Sequence, residues 1–195
     1  GAAEADEGDA ASNDGDDADD REALMNGGVT DDASKVLREA LRSNLELQRA
    51  LDRDELQLWY QPKCRLADGA PVGAEALVRW QHPERGLVAP GAFLPFAEQT
   101  GFVRRITRWA LRVAAREARQ WAERGMPVPV SVNISAIDLA DPKLVAHVRD
   151  VLASERLRPA LLKLEITESG FIDDPQHALR TLDALAELGV GLSID

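Results

Sequence analysis

Two short runs, Val130-Ser131-Val132-Asn133-Ile134-Ser135 and Leu162-Lys163-Leu164-Glu165-Ile166-Thr167, alternate apolar and polar residues, and a helical stretch at 142–155 lies between them. A strand, a helix and a second strand fit one sheet as a right-handed crossover, which makes the two strands parallel. That reading decides the fold class: α/β, with a parallel sheet or a (β/α) barrel. Working outward, 56–61, 72–80 and 190–195 read as further strands beside 128–135 and 161–167, giving about five. Helices are expected over 90–99, 103–124 and 175–188 as well as 142–155. Pro90, Pro142 and Pro175 sit in first turns, and Gly101, Gly125 and Gly189 follow last turns, the positions these residues favour.

A strand covered on both faces reads as a continuous apolar run, so regular polar interruptions need a cause. Splitting each strand by its period of two gives one aliphatic face: Val130, Val132 and Ile134, then Leu162, Leu164 and Ile166, then Val190, Leu192 and Ile194. The other face carries Ser131, Asn133 and Ser135, then Lys163, Glu165 and Thr167, then Gly191, Ser193 and Asp195; the second strand adds Glu75, Leu77 and Arg79 on a single face. Each strand thus turns an amide or carboxylate toward a shared interior near its C-terminal end, where (β/α) barrels keep their active sites. Convergent buried carboxylates require a compensating cation. Glu75, Asn133, Glu165 and Asp195 are all oxygen donors, a set that suits Mg²⁺ or Mn²⁺ better than zinc or copper. Taken singly, Glu75 or Glu165 reads more readily as a salt-bridged or rim carboxylate than as a ligand, Asn133 more readily as a turn or strand-end amide, and Asp195 could be the N-cap of a following helix. The shared register of all four carries the metal reading.

Length and charge bound the rest. The 195 residues carry a formal charge of −11. Residues 1–34 hold twelve acids and one base, so the remainder is neutral. With no basic stripe, the composition argues against DNA or RNA binding. The first 34 residues are largely Ala, Asp, Gly, Asn and Ser, and are expected to be a disordered acidic tail. Val36, Leu37, Leu41, Leu45, Leu47 and Ala50 then recur at helical spacing, predicting a connector helix over 35–54. The single cysteine, Cys64, excludes an intramolecular disulfide, and no long apolar run reads as a membrane span. Both point to a cytoplasmic protein, unless missing segments anchor a longer parent to a membrane. Gly1 in first position suggests a processed, tagged or excised segment, and the chain stops directly after an apolar run with no turn or cap. His82, His147 and His177 lie on unrelated elements and make no nucleophilic site. The arginines of 104–119 read as a solvated helix face.

The same residues resemble the EAL family of bacterial cyclic di-GMP phosphodiesterases. Ala74-Glu75-Ala76-Leu77-Val78-Arg79-Trp80 resembles the family's naming signature. Around it stand Trp59-Tyr60-Gln61-Pro62, Gln81-His82-Pro83, the stretch 93–101, Ser131-Val132-Asn133-Ile134-Ser135, Leu164-Glu165-Ile166-Thr167-Glu168-Ser169 and Leu192-Ser193-Ile194-Asp195, in the family's order and spacing. The resemblance implies a modified (β/α)₈ TIM-type barrel that hydrolyses one phosphodiester of cyclic di-GMP with Mg²⁺ or Mn²⁺. It implies metal ligation by Glu75, Asn133, Glu165 and Asp195, Glu75 being catalytic as well. Gln61, Leu77 and Arg79 would meet substrate, with Arg79 on phosphate and Leu77 against a guanine. Glu168 would steady the catalytic loop after the fifth strand. The family also implies a homodimer through the barrel, and the connector helix resembles one that follows an upstream GGDEF or sensory domain.

The resemblance also marks what this stretch lacks. In the family a second Asp, a Phe-Gly-Thr-Gly loop and strands bearing a catalytic Lys, a Glu and a Gln follow the position of Asp195. Residues 55–195 therefore read as the N-terminal portion of an EAL domain, with about five of eight strands in a fold that usually takes roughly 250 residues. The expectation is a phosphodiesterase parent and an inactive isolated chain. The alternative is a degenerate, non-catalytic EAL domain acting as a cyclic di-GMP receptor or a protein-interaction module.

Overall fold

The structure, a computed structural model, describes residues 17–166 and 174–194, with side chains from Ser34 onward. The chain divides into two compact units, residues 1–43 and 44–195. Helix α1 (Asp17–Asp52) begins well upstream of the expected start. Residues 17–34 are helical where composition reads as disorder, a correction to the tail boundary. Acids in the first turn favour a helix N-terminus, and Arg21, Glu22, Ala23, Leu24 and Met25 are good helix formers. The remainder of the expected tail, 1–16, lies outside the described residues.

In the larger unit a mixed six-stranded sheet has the order β1-β2-β4-β5-β6, with β3 also paired to β2. The strands are β1 (Leu56–Cys64), β2 (Pro71–His82), β3 (Gly86–Val88), β4 (Val130–Ile134), β5 (Leu162–Ile166) and β6 (Gly191–Ile194). From β2 through β4 and β5 to β6 the strands run parallel, as the crossover argument requires. β1 runs antiparallel to β2, because only a turn with Gly69 at φ 71° separates them and no helix intervenes. β3 is the sixth strand, too short at three residues to show a periodicity.

The helices lie where expected, with two divisions. The stretch 90–99 splits into a 3₁₀ turn (Pro90–Ala92) and α2 (Leu94–Gln99). A short α4 (Ala136–Leu139) precedes α5 (Leu144–Glu155). Its start is a capping box: Ser135 Oγ accepts from Asp138 N at 3.3 Å, and Ser135 N donates to Asp138 Oδ2 at 3.0 Å. In α3 (Val103–Glu123) the buried positions Ile106, Ala110, Leu111, Ala114, Ala115 and Ala118 form one stripe, whose alanines admit close approach to the sheet. In α6 (Pro175–Glu187), Asp174 caps the first turn by accepting from His177 N at 2.9 Å.

Two cores follow. The first joins the aliphatic faces of β4 and β5 to α3, α5 and Leu185 of α6, with Val130, Leu111, Val148, Leu162 and Leu164 all at 0% exposure. The second gathers Leu47 and Ala50 at the end of α1 with Trp80, Phe93, Phe102 and Ile106. Both cores lie on the helix side of the sheet and leave its other face to polar residues.

Candidate functional site

The polar face is built by register. Gln61 of β1 stands opposite Glu75 of β2, and Glu75 opposite Ser131 of β4. Asn133 of β4 is beside Glu165 of β5, and Glu165 beside Ser193 of β6. On antiparallel β1 the period of two sets Trp59, Gln61 and Lys63 beside Leu77, Glu75 and Gly73, so the first strand contributes to the same face.

Four expected site residues, Gln61, Glu75, Asn133 and Glu165, meet directly or lie in register. Asn133 Nδ2 donates to Glu75 Oε1 at 2.9 Å, joining β4 to β2. Glu165 is nearly buried, at 6% exposure, and its partner is Lys63, whose Nζ hydrogen-bonds Oε1. Lys63 also donates to Ser131 Oγ at 3.3 Å. Ser193 Oγ donates to the same Glu165 oxygen at 3.3 Å, and Lys163 Nζ lies 3.7 Å from it. Burial raises the Glu165 carboxyl, but the hydrogen bond and charge of Lys63, helped by Ser131 and Lys163, outweigh it and hold the group below its ordinary value.

Arg79 is on the same face two residues after Leu77. Its guanidinium lies 5.5 Å over the Trp59 ring and donates to Val78 O at 2.9 Å. A cavity of about 230 Å³ adjoins Leu77 and Asn133 and reaches Thr107 and Asp138. Asp138 is buried, and desolvation pushes its carboxyl up against the opposing hydrogen bonds from Ser135 and Thr107. Glu168 and Asp195, the remaining predicted site residues, lie outside the described residues.

Lys63 is the residue that the sequence argument passed over, while Ser131, Lys163 and Ser193 were placed on the polar face but given no role. The period of two already sets Lys63 beside Gln61, so the signal was present. A buried carboxylate needs a countercharge, and the argument assigned that role to a divalent ion alone, whereas here an ammonium supplies it. The donor chemistry still fits a hard cation, since Glu75, Asn133 and Glu165 offer only oxygen ligands on three neighbouring strands. No cluster of three His, Cys, Asp or Glu side chains occurs among the described residues.

Residues set aside from chemistry behave accordingly. His82 Nδ1 accepts from the backbone of Glu84 and Arg85 at 3.1 Å each, shaping the turn after β2. The arginines of α3 are exposed or half-buried, as a solvated face requires, and several form ion pairs: Arg108 with Asp141 at 2.8 Å, Arg119 with Glu123 at 2.7 Å and Arg116 with Glu155 at 3.6 Å. None of the described helices is long and apolar enough to cross a membrane.

Comparison with known proteins adds an independent line. The family model described as the EAL domain matches residues 44–195. The bifunctional diguanylate cyclase/cyclic di-GMP phosphodiesterase MucR of Pseudomonas aeruginosa is 43% identical over 159 residues, 81% of this chain and 23% of that protein. The signaling protein YkoW of Bacillus subtilis is 36% identical over 155 residues, 80% of this chain and 19% of that protein. The solved structure of the PaMucR phosphodiesterase in complex with c-di-GMP is similar with a TM-score of 0.75 at 42% identity, covering 79% of this chain and 63% of that one. The EAL enzyme Bd1971, in its form bound to cAMP and cyclic-di-GMP, is similar with a TM-score of 0.75 at 28% identity, covering 90% and 48%. The chain spans only about a fifth to a quarter of the length of the first curated relatives it matches.

Proposed function

The chain belongs to the EAL domain family, and from that premise we propose that the full-length protein hydrolyses cyclic di-GMP to the linear dinucleotide as a metal-dependent phosphodiesterase. The observation that carries this reading is the Asn133 to Glu75 contact with Glu165 in register beside it, on the polar face that also presents Gln61, Leu77 and Arg79. Residues 44–195 are proposed to be the N-terminal portion of the catalytic domain.

Mg²⁺ or Mn²⁺, when bound, supplies a Lewis acid for a phosphoryl oxygen and a bound water of lowered pKa. Glu75, Asn133 and Glu165, with Asp195, are the proposed ligands, and Glu168 steadies the loop after β5. The planar guanidinium of Arg79 gives a phosphate two parallel hydrogen bonds that an ammonium could not match. Stacking beneath Trp59 limits how far that guanidinium can swing, so it is held ready for an anion. Leu77 offers an apolar contact to a guanine, and Gln61, opposite Glu75, can hydrogen-bond substrate from β1. A cytoplasmic location, a homodimer through the barrel and an upstream GGDEF or sensory domain complete the proposal.

The test is to incubate the full-length protein with cyclic di-GMP and saturating MnCl₂ and to measure the linear dinucleotide. No product with metal saturating overturns the enzymatic reading. A binding-only role would follow if the engagement of Glu165 by Lys63 excluded the ion instead of orienting its ligand. Retained cyclic di-GMP affinity without turnover would establish that role.

A further inference from the structure

The donors around Glu165 are distributed unevenly. Lys63 Nζ and Ser193 Oγ both hydrogen-bond Oε1, and Lys163 Nζ approaches that same atom. The hydrogen bonds from Lys63 and Ser193 thus both go to this one oxygen. Lys63 reaches it from β1, although β2 and β4 stand between β1 and β5 in the sheet. The contact therefore spans the polar face and is no consequence of neighbouring strands.

A carboxylate held on one oxygen by charge-assisted donors loses its freedom to rotate and offers its second oxygen in a fixed direction. We propose that Lys63 is a positioning residue of the metal site, fixing Glu165 through Oε1 with Ser193 and Lys163, and so presenting Oε2 as the single oxygen that coordinates a divalent ion. The inference rests on the metal-dependent reading above and deepens it, since it assigns the strand that opens the sheet a part in holding the ion. The roles divide by atom. Glu75 and Asn133 hold each other, while Glu165 is held by a lysine from β1 and a serine from β6.

The test is titration of the full-length protein with MnCl₂ alone, following free Mn²⁺ by electron paramagnetic resonance. Lys63→Met is expected to weaken Mn²⁺ binding on the order of tenfold. Lys63→Arg, which keeps a cationic donor, should restore most of the affinity, and Ser193→Ala should give a smaller loss in the same direction. Thermal unfolding recorded alongside separates this effect from a general loss of structure. Equal or tighter Mn²⁺ binding by Lys63→Met, with the wild type binding, overturns the inference; tighter binding would mean that Lys63 competes for the carboxylate. A wild type that binds no Mn²⁺ overturns the metal reading itself, and the positioning role with it. Should Lys63→Met not fold, Ser193→Ala carries the test, with a weakened site supporting the inference and an unchanged one overturning it.

Discussion

Asn133 Nδ2 donates to Glu75 Oε1 across 2.9 Å, so an amide on β4 and a carboxylate on β2 hold each other on the polar face of the sheet. The bond uses one oxygen of Glu75 and the amide nitrogen of Asn133, so each side chain keeps an oxygen that this contact does not occupy. Glu75→Ala removes one oxygen donor and leaves the Asn133 amide without its acceptor. The full-length variant should lose about a hundredfold or more of its cyclic di-GMP hydrolysis, measured as linear dinucleotide formed at saturating MnCl₂. Turnover within a fewfold of wild type would remove Glu75 from the ligand set.

Arg79 is expected to act through geometry as well as charge. Its guanidinium lies 5.5 Å over Trp59 and donates to Val78 O, contacts that an ammonium cannot reproduce together. Arg79→Lys should weaken cyclic di-GMP binding by roughly tenfold, the equivalent of about 1.4 kcal/mol. Calorimetric titration reads this directly. An unchanged dissociation constant would show that charge alone suffices at this position.

Tyr60 carries a cost that the fold does not offset. Its hydroxyl is buried with no hydrogen-bond partner among the described residues, while its ring packs edge-on to Trp121 at 4.9 Å between centroids. Burial, reinforced by the charge of Glu117, pushes the phenol well above its ordinary value. Tyr60→Phe keeps the ring and removes the unsatisfied oxygen, so it should raise stability by about 1 kcal/mol. A urea midpoint lower than wild type would reveal a partner for the hydroxyl.

The alternation that made the sheet legible also explains what escaped notice. Val130, Val132 and Ile134 announce a buried face, and Ser131 and Asn133 the other; that contrast needs no tertiary information. The parallel order of β2, β4, β5 and β6 followed because a helix separates each pair. β1 was harder. A strand joined to its neighbour by a turn runs antiparallel, and only the absence of a helix between 61 and 72 hinted at it. The Lys63 contact to Glu165 joins two residues 102 positions apart, on strands with two others between them in the sheet, which no local periodicity encodes. The early start of α1 escaped for the opposite reason. Composition averages a window, and the runs rich in Asp and Gly masked the helix formers among them.

Asp141 offers a pH test of the packing that supports β4. It is buried at 8% exposure, and its Oδ2 accepts from Arg108 at 2.8 Å while its Oδ1 accepts from Lys143 N at 3.0 Å. Burial raises the carboxyl, but the Lys143 backbone, Arg108 and Arg104 together outweigh it and hold the group below its ordinary value. A depressed folded value means that the unfolded chain binds the proton first as pH falls. The stabilisation is therefore complete above the unfolded pKa of about 3.9 and is lost as pH drops through the lower folded value. Asp138, three residues earlier, shifts the other way, because desolvation dominates there, and it opposes folding as pH rises above about 3.9. Wild type alone would mix the two effects. The difference between wild type and Asp141→Asn isolates one of them, and it should be constant near neutrality and shrink below about pH 4. Urea unfolding midpoints measured for both proteins from about pH 3 to pH 7 supply that difference. A difference that stays flat to the acid end would mean that Asp141 has the same proton affinity folded and unfolded, and that its contact with Arg108 adds no pH-dependent stability.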